Sequence, residues 1–418
     1  MKKLQEFEKN SMILFVLLMG ANGCNYLFQI IAGNRMEVKD YGIVNTVLGL
    51  VGILTIPTTM ISMVSARYTA IFAAQENTEG MVCVFHLLLR FVMMISAVLF
   101  FAGIVGIQQV TNLFGMESSG YVIGAFIIAV INLFFSITSG TLQGMKKFFP
   151  YGIQTILSAA GKLVLSACFL WIGWRVYGVL AAVCLGTASA VLYGAVQIKG
   201  VIKNAVCCQG RKLADLGELW KYAASSIVTQ GCVIAVTNGD VLLVKMYFTD
   251  AVTGVYASAS VIGKISMYVS TAIVAALFPM AVDRHQRGED TFLLFQKALF
   301  YGGAASAAAA LVMSLLGKYV IGILFGARYQ KAVLYLPYVC MFIVPLTLVT
   351  ILMNYVLAVG KAKVFGISIT IGAGSIFGLS ALLHRTVEQI MIMSGMILTG
   401  VFIINIIWLL QAKKQAEV

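Results

Sequence analysis

The chain has 418 residues, a length that by itself suggests two or three soluble domains. Its composition excludes them: 60% is hydrophobic and 11% charged, against about 25% charged in an ordinary soluble domain, and mean hydropathy is +0.95. So few charges cannot cover a soluble core of this size, and the formal charge of +13 is spread along the chain rather than gathered into a nucleic-acid footprint.

A helix crosses a hydrocarbon core about 30 Å thick with about 20 mostly apolar residues. Runs of that kind predict twelve transmembrane helices, at 11–32, 41–66, 81–106, 120–142, 151–173, 176–197, 220–245, 253–281, 293–317, 332–359, 364–383 and 387–411. The first run is long, has no clear small-residue cleavage site and reads as a retained helix. With the N-terminus inside, 18 of the 29 Lys and Arg fall on the cytoplasmic side and 8 outside, so both termini are expected in the cytoplasm. The remaining three, Arg90, Lys162 and Lys264, lie within spans.

Six of the eight cysteines sit in apolar runs, where Cys behaves as a small hydrophobe. Cys207 and Cys208 are vicinal in a cytoplasmic loop, but no Cys or His cluster stands near them, and His86, His285 and His384 are scattered. No metal, cofactor or catalytic triad is predicted. No outer loop exceeds about fifteen residues, which leaves no room for a catalytic loop and argues against a membrane-embedded glycan polymerase or ligase.

The largest cytoplasmic loop divides the chain into an N-terminal six-helix bundle (1–200), a linker (201–219) and a C-terminal six-helix bundle (220–418). Three local matches join the halves. Asp40-Tyr41-Gly42-Ile43, opening span 2, resembles Thr253-Gly254-Val255-Tyr256, opening span 8. Leu113-Phe114-Gly115 recurs as Leu324-Phe325-Gly326, and Gly144-Met145-Lys146-Lys147 as Gly360-Lys361-Ala362-Lys363. Their order and near-constant offset predict an all-α integral membrane protein built as a parallel pseudo-two-fold repeat. Two such bundles with a cleft between them suit transport by alternating access.

Polar residues recur at helical spacing in several spans: Asn22, Asn25 and Gln29; Asn132, Ser136, Ser139 and Gln143; Gln154, Ser158, Lys162 and Ser166; Tyr256, Ser260, Lys264 and Tyr268. Such stripes either bond helix to helix or line a water-filled path. The cations are more telling, because each costs about 2.5–3.5 kcal/mol near the bilayer centre unless compensated. Asp240 is the one carboxylate well inside a span, with Lys245 five residues on as a partner, so at most one of Arg90, Lys162 and Lys264 is neutralised in this way. The expected ligand is therefore anionic, held by flexible Lys and forked Arg donors, with Tyr256 and Tyr268 either in the core or stacking on sugar. A carrier of cationic drugs would need the opposite sign, with Asp240 as its coupling group.

Asn25-Tyr26-Leu27-Phe28, the segment Gly33-Asn34-Arg35 to Asp40-Tyr41-Gly42, Asn238-Gly239-Asp240, Phe278-Pro279, Leu324-Phe325-Gly326 and Ala358-Val359-Gly360-Lys361 together carry a family resemblance. The chain resembles the polysaccharide transporter (oligosaccharide flippase) branch of the multidrug, oligosaccharidyl-lipid and polysaccharide (MOP, MATE-like) exporter superfamily. That resemblance implies movement of undecaprenyl-pyrophosphate-linked oligosaccharide to the outer leaflet of a bacterial cytoplasmic membrane, for capsule, exopolysaccharide or O-antigen. It also implies cavity cations on the pyrophosphate, a role that falls by depth to Arg90, Lys162 and Lys264. Its implied partners are the anionic lipid-linked glycan, membrane lipids and a polymerase or glycosyltransferase assembly. A lipid II flippase and a MATE-like multidrug or cation antiporter are the alternatives.

Overall fold

A computed structural model describes residues 2–199, 216–286, 290–359 and 362–416. The described residues form thirteen α-helices and one 3-10 turn, with no strand. In chain order they are α1 (Lys2–Arg35), α2 (Val38–Leu54), α3 (Ile56–Ala74), α4 (Thr78–Leu113), α5 (Ser119–Gly144), α6 (Phe148–Ile172) and α7 (Arg175–Gln197). The second set comprises α8 (Leu216–Tyr247), α9 (Asp250–Gln286), α10 (Phe292–Leu324), α11 (Ala332–Ala358), α12 (Ala362–Ser380) and α13 (Val387–Ala416). Ten of these are long and apolar enough to cross a membrane, or eleven if the pair α2 and α3 counts as one span. The expected span at 253–281 falls on α9, described from residue 271 onward in backbone only. The chain is a multi-pass membrane protein.

The span expected to run unbroken over 41–66 is instead two helices bent by 46° at Thr55. Pro57 stands at the start of α3 and has no N–H for the carbonyl four residues back, so the helix cannot continue straight. Thr55 bonds its hydroxyl to the Val51 carbonyl at 2.8 Å, and Thr58 bonds to Thr55 at 2.6 Å, which satisfies backbone groups freed at the break.

The helices gather into two compact units, Met1–Ala223 and Ala224–Val418. The linker expected at 201–219 lies mostly outside the described residues, as do Cys207, Cys208 and the pair Gly360-Lys361. In the first unit α5 is central, packing on α2, α3, α4 and α7, while α6 lies between α1 and α7. In the second unit α11 takes the equivalent place, against α9, α10, α12 and α13. These are the fourth span of each half. The repeated Leu-Phe-Gly also acquires a physical reason. It ends α4 and α10 alike, with the Phe buried and the Gly at φ +52 in one copy and +81 in the other, a left-handed region that costs a side chain strain.

Close helix approach in the first unit depends on small residues. Gly140 and Gly144, four apart on α5, meet the α3 backbone, and a Cβ on either would lie 2.5 Å from the Ser62 or Ala66 carbonyl oxygen. Ser65 seals the same crossing, 3.3 Å from the Ile137 carbonyl and 3.0 Å from the Thr141 hydroxyl. Arg175 opens α7 at φ +46 and is held by ion pairs to Asp40, at 2.8 Å, and Glu37, at 2.5 Å.

Gly140→Leu is expected to force α3 and α5 apart and lower unfolding free energy by about 1–3 kcal/mol, the usual range for overpacking. Thermal unfolding of the purified protein in detergent checks this; an unchanged melting temperature would show that the crossing is not tight.

Candidate functional site

The three span cations meet three different environments. Lys162 projects from α6 toward α1, where its ammonium donates to Asn25 Oδ1 at 2.6 Å and lies 4.6 Å from the centroid of the buried Phe28 ring. The α7 backbone fixes its position: a Cβ at Gly186 would lie 2.6 Å from the Lys162 nitrogen, so only glycine allows this crossing. Among the described residues no carboxylate lies within ion-pair distance of Lys162. Its charge is solvated by an amide oxygen and a ring face, both neutral.

Lys264 is different. Its ammonium lies 3.0 Å from Oδ1 of Asp240, whose other oxygen accepts from the Ser260 hydroxyl and lies 3.2 Å from the Tyr256 hydroxyl. Tyr256, Ser260 and Lys264 follow at steps of four on α9 and therefore share one face, which meets Asp240 on α8. Tyr256 also touches the Met391 sulfur on α13, at 2.9 Å. The expected pairing of Asp240 with Lys245 is thus corrected: Lys245 pairs instead with Asp250, the first residue of α9, which is nearer in space than a carboxylate more than one turn back on its own helix. Tyr256 is fully buried, leaving no ring face open to a ligand, whereas Tyr268, three turns further on, is exposed.

Arg90 stands apart from both. It lies on the exposed face of α4 with Leu87, Met94 and Val98, while His86 turns its Nδ1 to the Val82 carbonyl at 2.9 Å. The helix has 36 residues and Arg90 is its thirteenth, with mostly apolar residues on both sides, from Met81 to Leu89 and from Phe91 to Ile107.

The polar stripes divide between the two expected roles. Gln154 bonds to Thr138 across helices at 2.6 Å, Ser158 to Thr187 at 3.5 Å, and Tyr41 to Gln29 at 3.1 Å, so these residues join helix to helix. Asn22 is exposed on α1, one turn before Asn25. The α5 stripe does something else. Asn132, Ser136, Ser139 and Gln143 line an open cavity of about 820 Å³ in the first unit, faced by α3, with Tyr151 of α6 also on its wall. Its α3 wall carries Thr58, Thr59, Ser62 and Arg67. Sequence reasoning counted Arg67 among the cytoplasmic charges and missed this wall. Thr58 and Ser62 share one α3 face, but Arg67 is nine residues beyond Thr58 and about 180° round the helix, so helical spacing gave no signal that joins it to them.

Removing one member of the Asp240–Lys264 pair should destabilise the second unit. Lys264→Met leaves a buried carboxylate uncompensated and is expected to cost about 3–5 kcal/mol, while Lys264→Met with Asp240→Asn recovers most of the loss. Equal melting temperatures for the single and double variants would show the pair to be energetically idle.

Comparison with known proteins supplies the context. Residues 7–285 match the family described as polysaccharide biosynthesis protein. No curated protein sequence matches the chain. Among solved structures, an inward-facing multidrug resistance MATE family transporter of the MOP superfamily aligns at TM-score 0.71 and 14% identity, covering 92% of this chain and 93% of that one. The MATE multidrug transporter DinF-BH aligns at 0.68 and 14% identity, over 97% and 94%. An outward-facing MATE structure aligns at 0.65 and 16% identity, over 96% and 94%. At these identities the likeness is one of fold, and it is a MATE fold. With two thirds of its length matched by the family and a central helix repeated in each unit, the chain belongs to the polysaccharide biosynthesis protein family.

Proposed function

We propose that the protein is a flippase that carries an undecaprenyl-pyrophosphate-linked oligosaccharide from the cytoplasmic to the outer leaflet of a bacterial cytoplasmic membrane, by alternating exposure of its site to the two sides. Family membership and the MATE fold support a carrier acting in polysaccharide biosynthesis. The observation that carries the anionic substrate is Lys162. An ammonium among membrane helices, bonded to one amide and one ring, gains most from a ligand that brings negative charge with it. Pyrophosphate brings that charge on several oxygens, and the polyprenyl tail stays in the bilayer while the headgroup crosses.

The charge pattern opposes a cation antiporter. Both carboxylates that are buried among the described residues, Asp40 and Asp240, already hold a cation, Arg175 and Lys264. A cationic substrate or coupling ion would have to displace a built-in one. An anionic substrate meets Lys162 without that competition.

In cells that depend on this protein for surface glycan, Lys162→Gln is expected to reduce surface polysaccharide at least tenfold with protein level and melting temperature unchanged. The glutamine keeps a hydrogen bond to Asn25 and removes only the charge. Lys162→Arg should retain a substantial part of the activity. Normal surface glycan with Lys162→Gln would remove the basis of the reading.

A further inference from the structure

The cavity between α3 and α5 has a chemistry that its volume alone does not disclose. About 820 Å³ falls within the ~300–1,000 Å³ range of small-molecule sites. Four hydroxyls on its wall spend their hydrogens on their own helices, and Asn132 spends one of its two N–H groups in the same way. Thr58 bonds to the Thr55 carbonyl at 2.6 Å, Thr59 to Ile56 at 2.9 Å, Ser136 to Leu133 at 2.7 Å and Ser139 to Ser136 at 3.1 Å. The Asn132 amide nitrogen bonds to Ile128 at 2.9 Å. Each hydroxyl has one hydrogen, so these four offer a ligand lone pairs, as does the Asn132 carbonyl oxygen, while Gln143 and Arg67 in the same lining carry N–H donors. The wall therefore pairs acceptors with donors and suits a ligand whose groups can do both, as hydroxyls do.

Two further features narrow the class. Among the described residues Arg67 is the one charged residue in the lining, with no carboxylate beside it there, so this wall favours an anion over a cation. Phe135 and Tyr151 add aromatic surface that suits the C–H face of a sugar ring. A cationic or amine-bearing drug fails on charge, and a purely apolar one leaves the acceptors dry and unpaired. A polyol that carries a negative group satisfies all three features.

We propose that this cavity is a subsite for an anionic sugar, whose hydroxyls bond to the polar wall of α3 and α5 while its phosphate or carboxylate meets Arg67. The choice of sugar rests on the glycan-export reading above. The site itself is distinct from Lys162, which lies eleven residues beyond Tyr151 on α6, or about 16 Å along the helix. Arg67 is two turns from the end of α3, in the part of the chain expected on the cytoplasmic side, where a headgroup would arrive first.

The test is ligand binding to the full-length protein in lipid nanodiscs, read by saturation-transfer NMR with glucose 1-phosphate, glucuronate, glucose and inorganic phosphate as probes. Glucose 1-phosphate or glucuronate should bind at least tenfold more tightly than either glucose or phosphate, and the stronger of the two tells whether phosphate or carboxylate is the preferred anion. Arg67→Gln should weaken the anionic sugars about tenfold and leave glucose unchanged, with Arg67→Lys recovering part. Asn132→Leu with Ser139→Ala should weaken every sugar probe and leave phosphate alone, and the Arg67→Gln effect should persist in a Lys162→Gln background, where phosphate held by the Lys162 ammonium no longer contributes. Melting temperatures of the variants identify any that misfold, and the Arg67 series stands if the wall variant does so. No binding by the wild type, phosphate binding as tight as sugar phosphate, or variants that bind like the wild type would each overturn the proposal. If sugars bind as described but reconstituted protein moves no lipid-linked glycan between leaflets, the flippase reading falls and the subsite stands.

Discussion

A charge among membrane helices must find compensation, because hydrocarbon offers none and each uncompensated group costs several kcal/mol. The arrangement of this chain follows from that constraint. Asp40 and Glu37 meet Arg175, Lys245 meets Asp250, and Asp240 meets Lys264 with two hydroxyls completing its shell. Arg90 stands on an exposed face of α4. Lys162 departs from the pattern: its compensation is an amide oxygen and a ring, neither of which carries charge. Nothing in the packing requires a lysine there, since the crossing at Gly161 and Gly186 is a contact of backbones. The charge is best understood through a ligand that arrives and leaves.

The two units share a plan yet treat their cations oppositely. In each, the fourth span is central and the third ends in Phe-Gly with a left-handed glycine. In each, a lysine of a later span faces a polar residue of that unit's first span: Lys162 with Asn25 of α1, and Lys264 with Asp240 of α8. One partner is an amide and the other a carboxylate, so among the described residues the first unit keeps a lysine without a counter-charge and the second a neutral pair. The two lysines occupy different places in the repeat, Lys162 on the fifth span of its half and Lys264 on the second, so the units share a scaffold and not a charge arrangement.

Much of this was legible in the sequence, for reasons that differ by residue. The helical class and the two-fold repeat were plain, because bilayer thickness imposes run lengths and left-handed glycines cannot be replaced cheaply. The stripe Tyr256, Ser260 and Lys264 was visible as spacing, but its target was misassigned, since sequence proximity favoured Lys245 for Asp240 whereas helix pairing brings α9 against α8. The bend at Thr55 was missed although Pro57 announced it, and so was the cavity that Arg67 and Ser139 both line. Periodicity reports which residues share a face; it does not report what that face meets.

The most direct test of this charge asymmetry is a cryo-EM structure of the protein with a polyprenyl-pyrophosphate oligosaccharide bound. Phosphate density within about 3 Å of the Lys162 ammonium, with the Asp240–Lys264 pair intact, is the expected result. Phosphates seated instead on Lys264 with that pair broken, or density that leaves Lys162 bonded only to Asn25 and Phe28, would contradict it.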